Sequence, residues 1–218
     1  NSSKFRSLLG MNYFKFNQRI DNDDDNFTDV ALQDRISIFN KWNFKRKDNR
    51  IFTIAGRYVF EDRFGGDKDW NPKFRGSDII YGESIWTNRW EVFGAYQLPT
   101  KERMILQFSA NNHDQNSVYG NTRYIADQKI GFGQLTWYKT LSTKHDLLAG
   151  LTMRYTYYDD NTTATEISNI ENKENVPTHT RLPGIFFQDE IMLNESNKIL
   201  FGMRYDYNSI HGSIYTPR

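Results

Sequence analysis

Cysteine is absent from this sequence, which removes any disulfide framework, thiolate metal site or cysteine nucleophile at once. A charge bias is missing too. Lys and Arg number 28 against 27 Asp and Glu, a formal net charge of +1, so the basic footprint of a nucleic-acid binder is not there. No run of about 18 apolar residues occurs, which excludes a transmembrane helix but leaves open a transmembrane barrel, whose strands carry only a weak alternating signal. Proline is scarce: the five, at 72, 99, 177, 183 and 217, fall in expected loops or at strand edges, as they must if every interior amide is to join a ladder. Catalytic patterns are also wanting. There is no HExxH, Gly131-x-Gly133 leads into no helix, and no nucleophile stands beside a base, so no enzyme is expected.

What the chain does have is rings. Aromatics make up 16% of its 218 residues, yet mean hydropathy is -0.76, a combination that alternation explains better than an oily core. From Ile199 to Tyr207, Ile199, Phe201, Met203, Tyr205 and Tyr207 share one parity while Leu200, Gly202, Arg204 and Asp206 share the other, the period of two that a pleated strand imposes. Before it, Ile185, Phe187, Ile191 and Leu193 oppose Gln188 and Glu190 across the short turn at 194–197, which predicts a hairpin. Asp189 breaks the pattern by sitting on the apolar parity. The same two-faced writing predicts strands over 5–18, 31–45, 52–60, 79–98, 104–111, 124–139 and 147–157. In 124–139 the phase is ambiguous, since Ile130 and Phe132 lie on one parity and Leu135 and Trp137 on the other; a bulge near Gly131 or Gly133 would reconcile them.

The connections are expected to alternate long and short, with long ones near residues 19, 61, 113, 159 and 209. Bacterial outer-membrane barrels have that rhythm, with an apolar outward band, aromatic girdles and a polar interior. Trp42, Phe44, Tyr96 and Trp137 adjoin short turns and are expected to mark the periplasmic girdle. The fold class is therefore read as all-β, an antiparallel up-and-down transmembrane β-barrel segment. A soluble sheet-rich binding module alternates in the same way, but strands of 10 to 20 residues exceed the usual soluble length of roughly 5 to 6. Nine strands and the start of a tenth are read, and an open sheet cannot sit in a bilayer. The chain is expected to be part of a larger barrel, in contact with outer-membrane lipid.

Three phrases carry a family resemblance: Phe186-Phe187-Gln188-Asp189-Glu190, then Gly202-Met203-Arg204-Tyr205-Asp206-Tyr207, then Tyr215-Thr216-Pro217-Arg218. In that order and spacing they resemble the barrel of TonB-dependent outer-membrane receptors, in wording similar to the Bacteroidetes type. Tyr81-Gly82-Glu83-Ser84 and Gly133-Gln134-Leu135-Thr136-Trp137 look similar too. The resemblance implies a barrel of about 22 strands plugged by a globular domain that this chain does not include. It further implies the outer membrane of a Gram-negative cell, TonB as a partner through that plug, and active uptake of a small extracellular ligand such as a siderophore, cobalamin, haem or an oligosaccharide. The matched phrases are scaffold, so no ligand-binding residue carries over. A passive outer-membrane porin is the alternative within membrane barrels.

Candidate site residues come from the loops. Asp21, Asp23, Asp25 and Asp29 have the 1, 3, 5, 9 spacing of an oxygen-ligand calcium loop, but Asn26 and Leu32 stand where Gly and Glu would complete an EF-hand. The choice is between a looser structural calcium site, which the resemblance allows, and a solvated acidic loop. His113, His179 and His211 fall on the long-loop side, where they could meet over a barrel mouth as contacts for a haem or metal chelate. Trp70, in the Asp- and Gly-rich stretch 61–78, has no packing duty visible in sequence and is a candidate ligand contact.

Overall fold

The computed structural model describes residues 4–167 and 174–217. Ten long strands form one antiparallel sheet in which each pairs with its neighbour along the chain: β1 (Phe5–Phe16), β2 (Leu32–Phe44), β3 (Phe52–Gly66), β4 (Gly82–Gln97), β5 (Arg103–Tyr119), β6 (Thr122–Ser142), β7 (His145–Asp160), β10 (Thr178–Asn194), β11 (Asn197–Asn208) and β12 (Gly212–Pro217). The short strands β8 (Glu166–Ile167) and β9 (Glu174–Asn175) pair within the connection between β7 and β10. Among the described residues β1 pairs only with β2 and β12 only with β11, so the sheet is open at both edges.

Register carries the sequence alternation across every strand. Residues directly opposite in an antiparallel ladder share a face, so Leu106, Leu135, Leu151, Ile185 and Tyr205 form one continuous row. The middle of that face is apolar. The other face collects Arg57, Glu91, Gln107, Gln134, Thr152, Gln188 and Arg204 by the same pairings. A single sheet has nothing to bury its apolar face against, and the surface shows it. The accessible area is 14876 Å², against about 10,500 Å² for a compact monomer of this 25.8 kDa mass. Leu9, Met11, Leu151 and Met203 are each more than half exposed.

On the apolar face, charge is confined to the strand ends. Lys15, Asp34, Asp62, Asp114, Asp127, Lys129, Asp159 and Arg181 lie toward the ends that lead into connections 17–31, 67–81, 120–121 and 161–177, while Lys139 and Asp189 lie near the short turns. Between them the residues of this face are uncharged on each strand, as at Phe52, Ile54, Gly56, Tyr58 and Phe60 on β3. Eight residue steps of about 3.4 Å give roughly 27 Å, or about 21 Å of height at a 40° tilt, close to the 25 Å apolar band of a bilayer. Both strays are paired. Lys139 Nζ lies 2.5 Å from Glu102 Oε1, and Asp189 Oδ2 lies 2.7 Å from His145 Nδ1, which accounts for the aspartate that breaks the alternation. At the short-turn edge Phe5 packs on Trp42, Phe44 stacks on Phe52 at 4.5 Å, and Phe52 meets Tyr96 edge-on. The expected girdle residues Trp42, Phe44 and Tyr96 thus join one linked aromatic row.

Several boundaries differ from the sequence reading. The expected long loop near 113 is a hairpin: β5 and β6 run on to a turn at Gly120 and Asn121, with Gly120 at φ +59 in the left-handed region that a two-residue turn calls for. Its Asn, Asp and Gln residues read as loop by composition, but past the apolar band both faces of a strand are wet and polar residues pair freely; His113 stands opposite Gln128 and Asp114 opposite Asp127. The connection near 209 is also short, at residues 209–211, so the alternation of lengths is not strict. No bulge interrupts β6 at Gly131 or Gly133; the shift lies between Thr140 and Ser142. Ile130 and Phe132 simply occupy the polar face. The expected connection 159–182 narrows to 161–177, because β7 continues to Asp160 and β10 begins at Thr178; its residues 168–173 fall outside the described residues.

Candidate functional site

The long connections hold the candidate residues, and the loop 17–31 is built by its own carboxylates. Asp21 accepts the backbone N–H groups of Asp25 and Asn26 at 3.3 and 3.2 Å, and Asp29 accepts both the backbone N–H and the amide of Asn22 at 2.9 and 2.6 Å. These bonds hold Asp24 and Asn26 at φ 59 and 69, a left-handed conformation that Asp and Asn tolerate better than most residues. The loop is tied to its neighbour by Thr28 N–H to Gly66 O, by the Asn26 amide to Asp67 Oδ1, and by Lys68 Nζ, 2.9 Å from Asp21 Oδ2.

Three of the four predicted calcium candidates come together. Carboxylate oxygens of Asp21, Asp23 and Asp29 lie within 4.8 Å of one another, an all-oxygen set of the kind a hard cation takes. Asp25 is outside the group; its Oδ1 accepts the Phe27 N–H at 2.7 Å. The charges are already partly balanced. The Lys68 ammonium donates to Asp21 and holds that carboxyl below its ordinary value, while the neighbouring charge of Asp25 pushes Asp23 above it.

The three histidines do not converge. His113 lies within β5 on the polar face, opposite Arg89, whereas His179 lies within β10 on the apolar side, its Nδ1 2.7 Å from the hydroxyl of Tyr155. His211 is exposed in the turn 209–211. Opposite faces of one sheet cannot share a ligand, so the expected meeting of these side chains over a mouth does not occur.

Trp70 has a packing duty after all. It is buried at 7% exposure, stacks on Phe64 with ring centroids 4.3 Å apart, and covers Gly82, where a Cβ would stand 2.6 Å from its Cδ1. Sequence inspection missed Arg75 in the same loop. Its guanidinium lies 3.9 Å over the Trp86 ring and donates to Ser84 Oγ, and to the backbone and side-chain oxygens of Asn116, clamping loop 67–81 onto β4 and β5.

No protein-family model and no curated protein matches the chain. Solved structures do. A complex of FpvAI with pyocin S2 matches at a TM-score of 0.63 and 11% identity, covering 98% of this chain and 34% of that one. A point mutant of the ferric enterobactin receptor PfeA from Pseudomonas aeruginosa matches at 0.60 and 11%, covering 91% and 32%. The fold is that of a TonB-dependent receptor barrel. At 11% identity the likeness is one of fold, and the chain spans about a third of the length of the solved structures it matches.

Proposed function

We propose that this chain is part of the barrel of an outer-membrane, TonB-dependent receptor that takes up a scarce small ligand actively. The observation that carries the reading is the apolar face, uncharged between strand ends across the height of a bilayer's apolar band. The barrel fold shared with the receptors supports it. In this reading the apolar face meets lipid, the polar face lines the lumen, and the connections carrying Asp21, Trp70 and Arg75 surround the extracellular mouth. The open edges of β1 and β12 pair with further strands of the same barrel, since an unpaired amide or carbonyl in hydrocarbon costs several kcal/mol. A plug inside the lumen contacts TonB, and the ligand is a siderophore, cobalamin, haem or an oligosaccharide.

Uptake by cells expressing the whole receptor tests this, with radiolabelled members of those four ligand classes supplied singly. One class should accumulate, and a protonophore should abolish its accumulation. Steady conductance of the purified protein in planar bilayers, with uptake indifferent to the protonophore, would instead establish a passive porin.

A further inference from the structure

Six charged side chains from three neighbouring strands meet on the polar face. Glu61 of β3 lies between Arg63, whose Nε is 3.4 Å away, and Arg35 of β2, whose Nη1 is at 4.0 Å. Glu91 of β4 receives Arg57 of β3 in a two-point pair, Nε to Oε2 at 2.9 Å and Nη2 to Oε1 at 3.1 Å, and also Arg89 Nη2 at 2.5 Å. Each carboxylate is therefore shared by two guanidiniums. Four positive charges against two negative ones leave two unbalanced.

Their heights differ as well. The two glutamate side chains are 16% and 17% exposed, the four arginines 40% to 50%. Acids form the floor and bases the surface, so what faces the space above the sheet is positive. Arg89 Nε and His113 Nδ1, opposite each other in the β4–β5 register, are both buried without a hydrogen-bond partner. Along β3 the track from Arg57 to Arg63 covers six steps, roughly 20 Å, and leads toward the end of the strand that opens into connection 67–81.

We propose that this arginine track binds a small, multiply charged anion through carboxylate, phosphate or phenolate oxygens. The inference rests on the receptor reading in one respect, that this face lines the lumen. A guanidinium is weakly hydrated and presents a planar fork that fits such oxygens in pairs, and a row of like charge beneath low-dielectric walls concentrates the opposite charge along it. Glutamates sunk below the arginines hold the forks in place and leave their outer edges for the ligand. A neutral ligand would draw nothing from the two surplus charges.

Calorimetric titration of the whole receptor in detergent tests the proposal, using citrate and inorganic tripolyphosphate as probes and maltotriose as the neutral control. Both anions should saturate, weakening as salt is raised, and the sugar should not bind. Arg89→Gln leaves Glu91 paired with Arg57 and should weaken anion binding about fivefold, as loss of one unit charge about 4 Å away in a water-like dielectric predicts for this half-exposed side chain. Glu91→Gln should tighten it, and Arg181→Gln, on the lipid face, should leave it unchanged. Failure of both anions to saturate by about 10 mM, as when an acidic segment already covers the track, would overturn the proposal. Equal binding of maltotriose, or equal affinities of Arg89→Gln and the native protein with matching thermal unfolding, would do the same. If uptake proves passive while these affinities follow charge, the receptor reading fails and the track stands.

Discussion

Leu151 and Leu200 are the same residue type and similarly exposed, at 56% and 44%, yet they lie on opposite faces of the sheet. Leu151 stands between Leu135 and Ile185 in the middle of the apolar face, and Leu200 stands opposite Glu190 on the polar one. Hydropathy alone predicts the same cost for arginine at either position. The fold predicts different costs. At Leu151 the guanidinium would enter hydrocarbon near the bilayer midplane, at about 2 to 4 kcal/mol. That is a factor of roughly 30 to 900 in the unfolding equilibrium. At Leu200 it would enter a wet lumen with the Glu190 carboxylate opposite, and the cost should stay within about 0.5 kcal/mol. Thr152 would be a poor lumenal control, because it is 6% exposed and its Oγ1 lies 3.3 Å from Arg204 Nη2. The assay is reversible denaturant unfolding of the whole receptor in lipid vesicles, comparing Leu151→Arg with Leu200→Arg. Equal destabilisation would refute the assignment of faces and the membrane reading with it.

Because the chain has no cysteine, single cysteines report topology cleanly: with intact cells, an impermeant maleimide should label Asp78→Cys and spare Asn197→Cys, and the reverse would invert the barrel. Trp70→Ala should destabilise loop 67–81 by about 3 kcal/mol, the usual cost of removing a buried indole, seen as faster proteolysis within that loop; unchanged proteolysis would return Trp70 to the ligand candidates. In loop 17–31 two neighbouring aspartates should act with opposite sign, Asp21→Asn loosening the loop by losing the Lys68 pair and Asp23→Asn tightening it by relieving repulsion from Asp25. The Asp21 carboxyl titrates below its ordinary 3.8 in the folded loop, so its contribution is complete well above that pH and fades as pH falls through 3.8 toward the folded value. Hydrogen exchange of the Asp25 and Asn26 amides should accelerate over that acid range, and acceleration on raising the pH from 5 to 7, beyond the intrinsic base-catalysed trend, would contradict the sign.

The alternation was legible because side-chain direction in a strand is a local property: a period of two survives whatever the strand pairs with. It was enough to place most strand centres, both faces of the closing hairpin and the aromatic row at Trp42, Phe44 and Tyr96. Strand ends were not legible. Beyond the bilayer band no solvent difference separates the two faces, so His113 to Arg123 lost its pattern and read as loop while pairing as a ladder. Only the tertiary structure decided which residues meet. Trp70 finds Phe64 and Gly82, Asp189 finds His145, and Asp25 drops out of the aspartate cluster, because each outcome depends on how loops fold back and how strands register. The arginine track is the clearest case. Arg35, Arg57, Glu61, Arg63, Arg89 and Glu91 sit on the polar parity of three separate strands, and nothing in their spacing along the chain says that Glu91 lies beneath Arg57. That is a consequence of register, set jointly by the turns and by the need to keep most apolar side chains on one face.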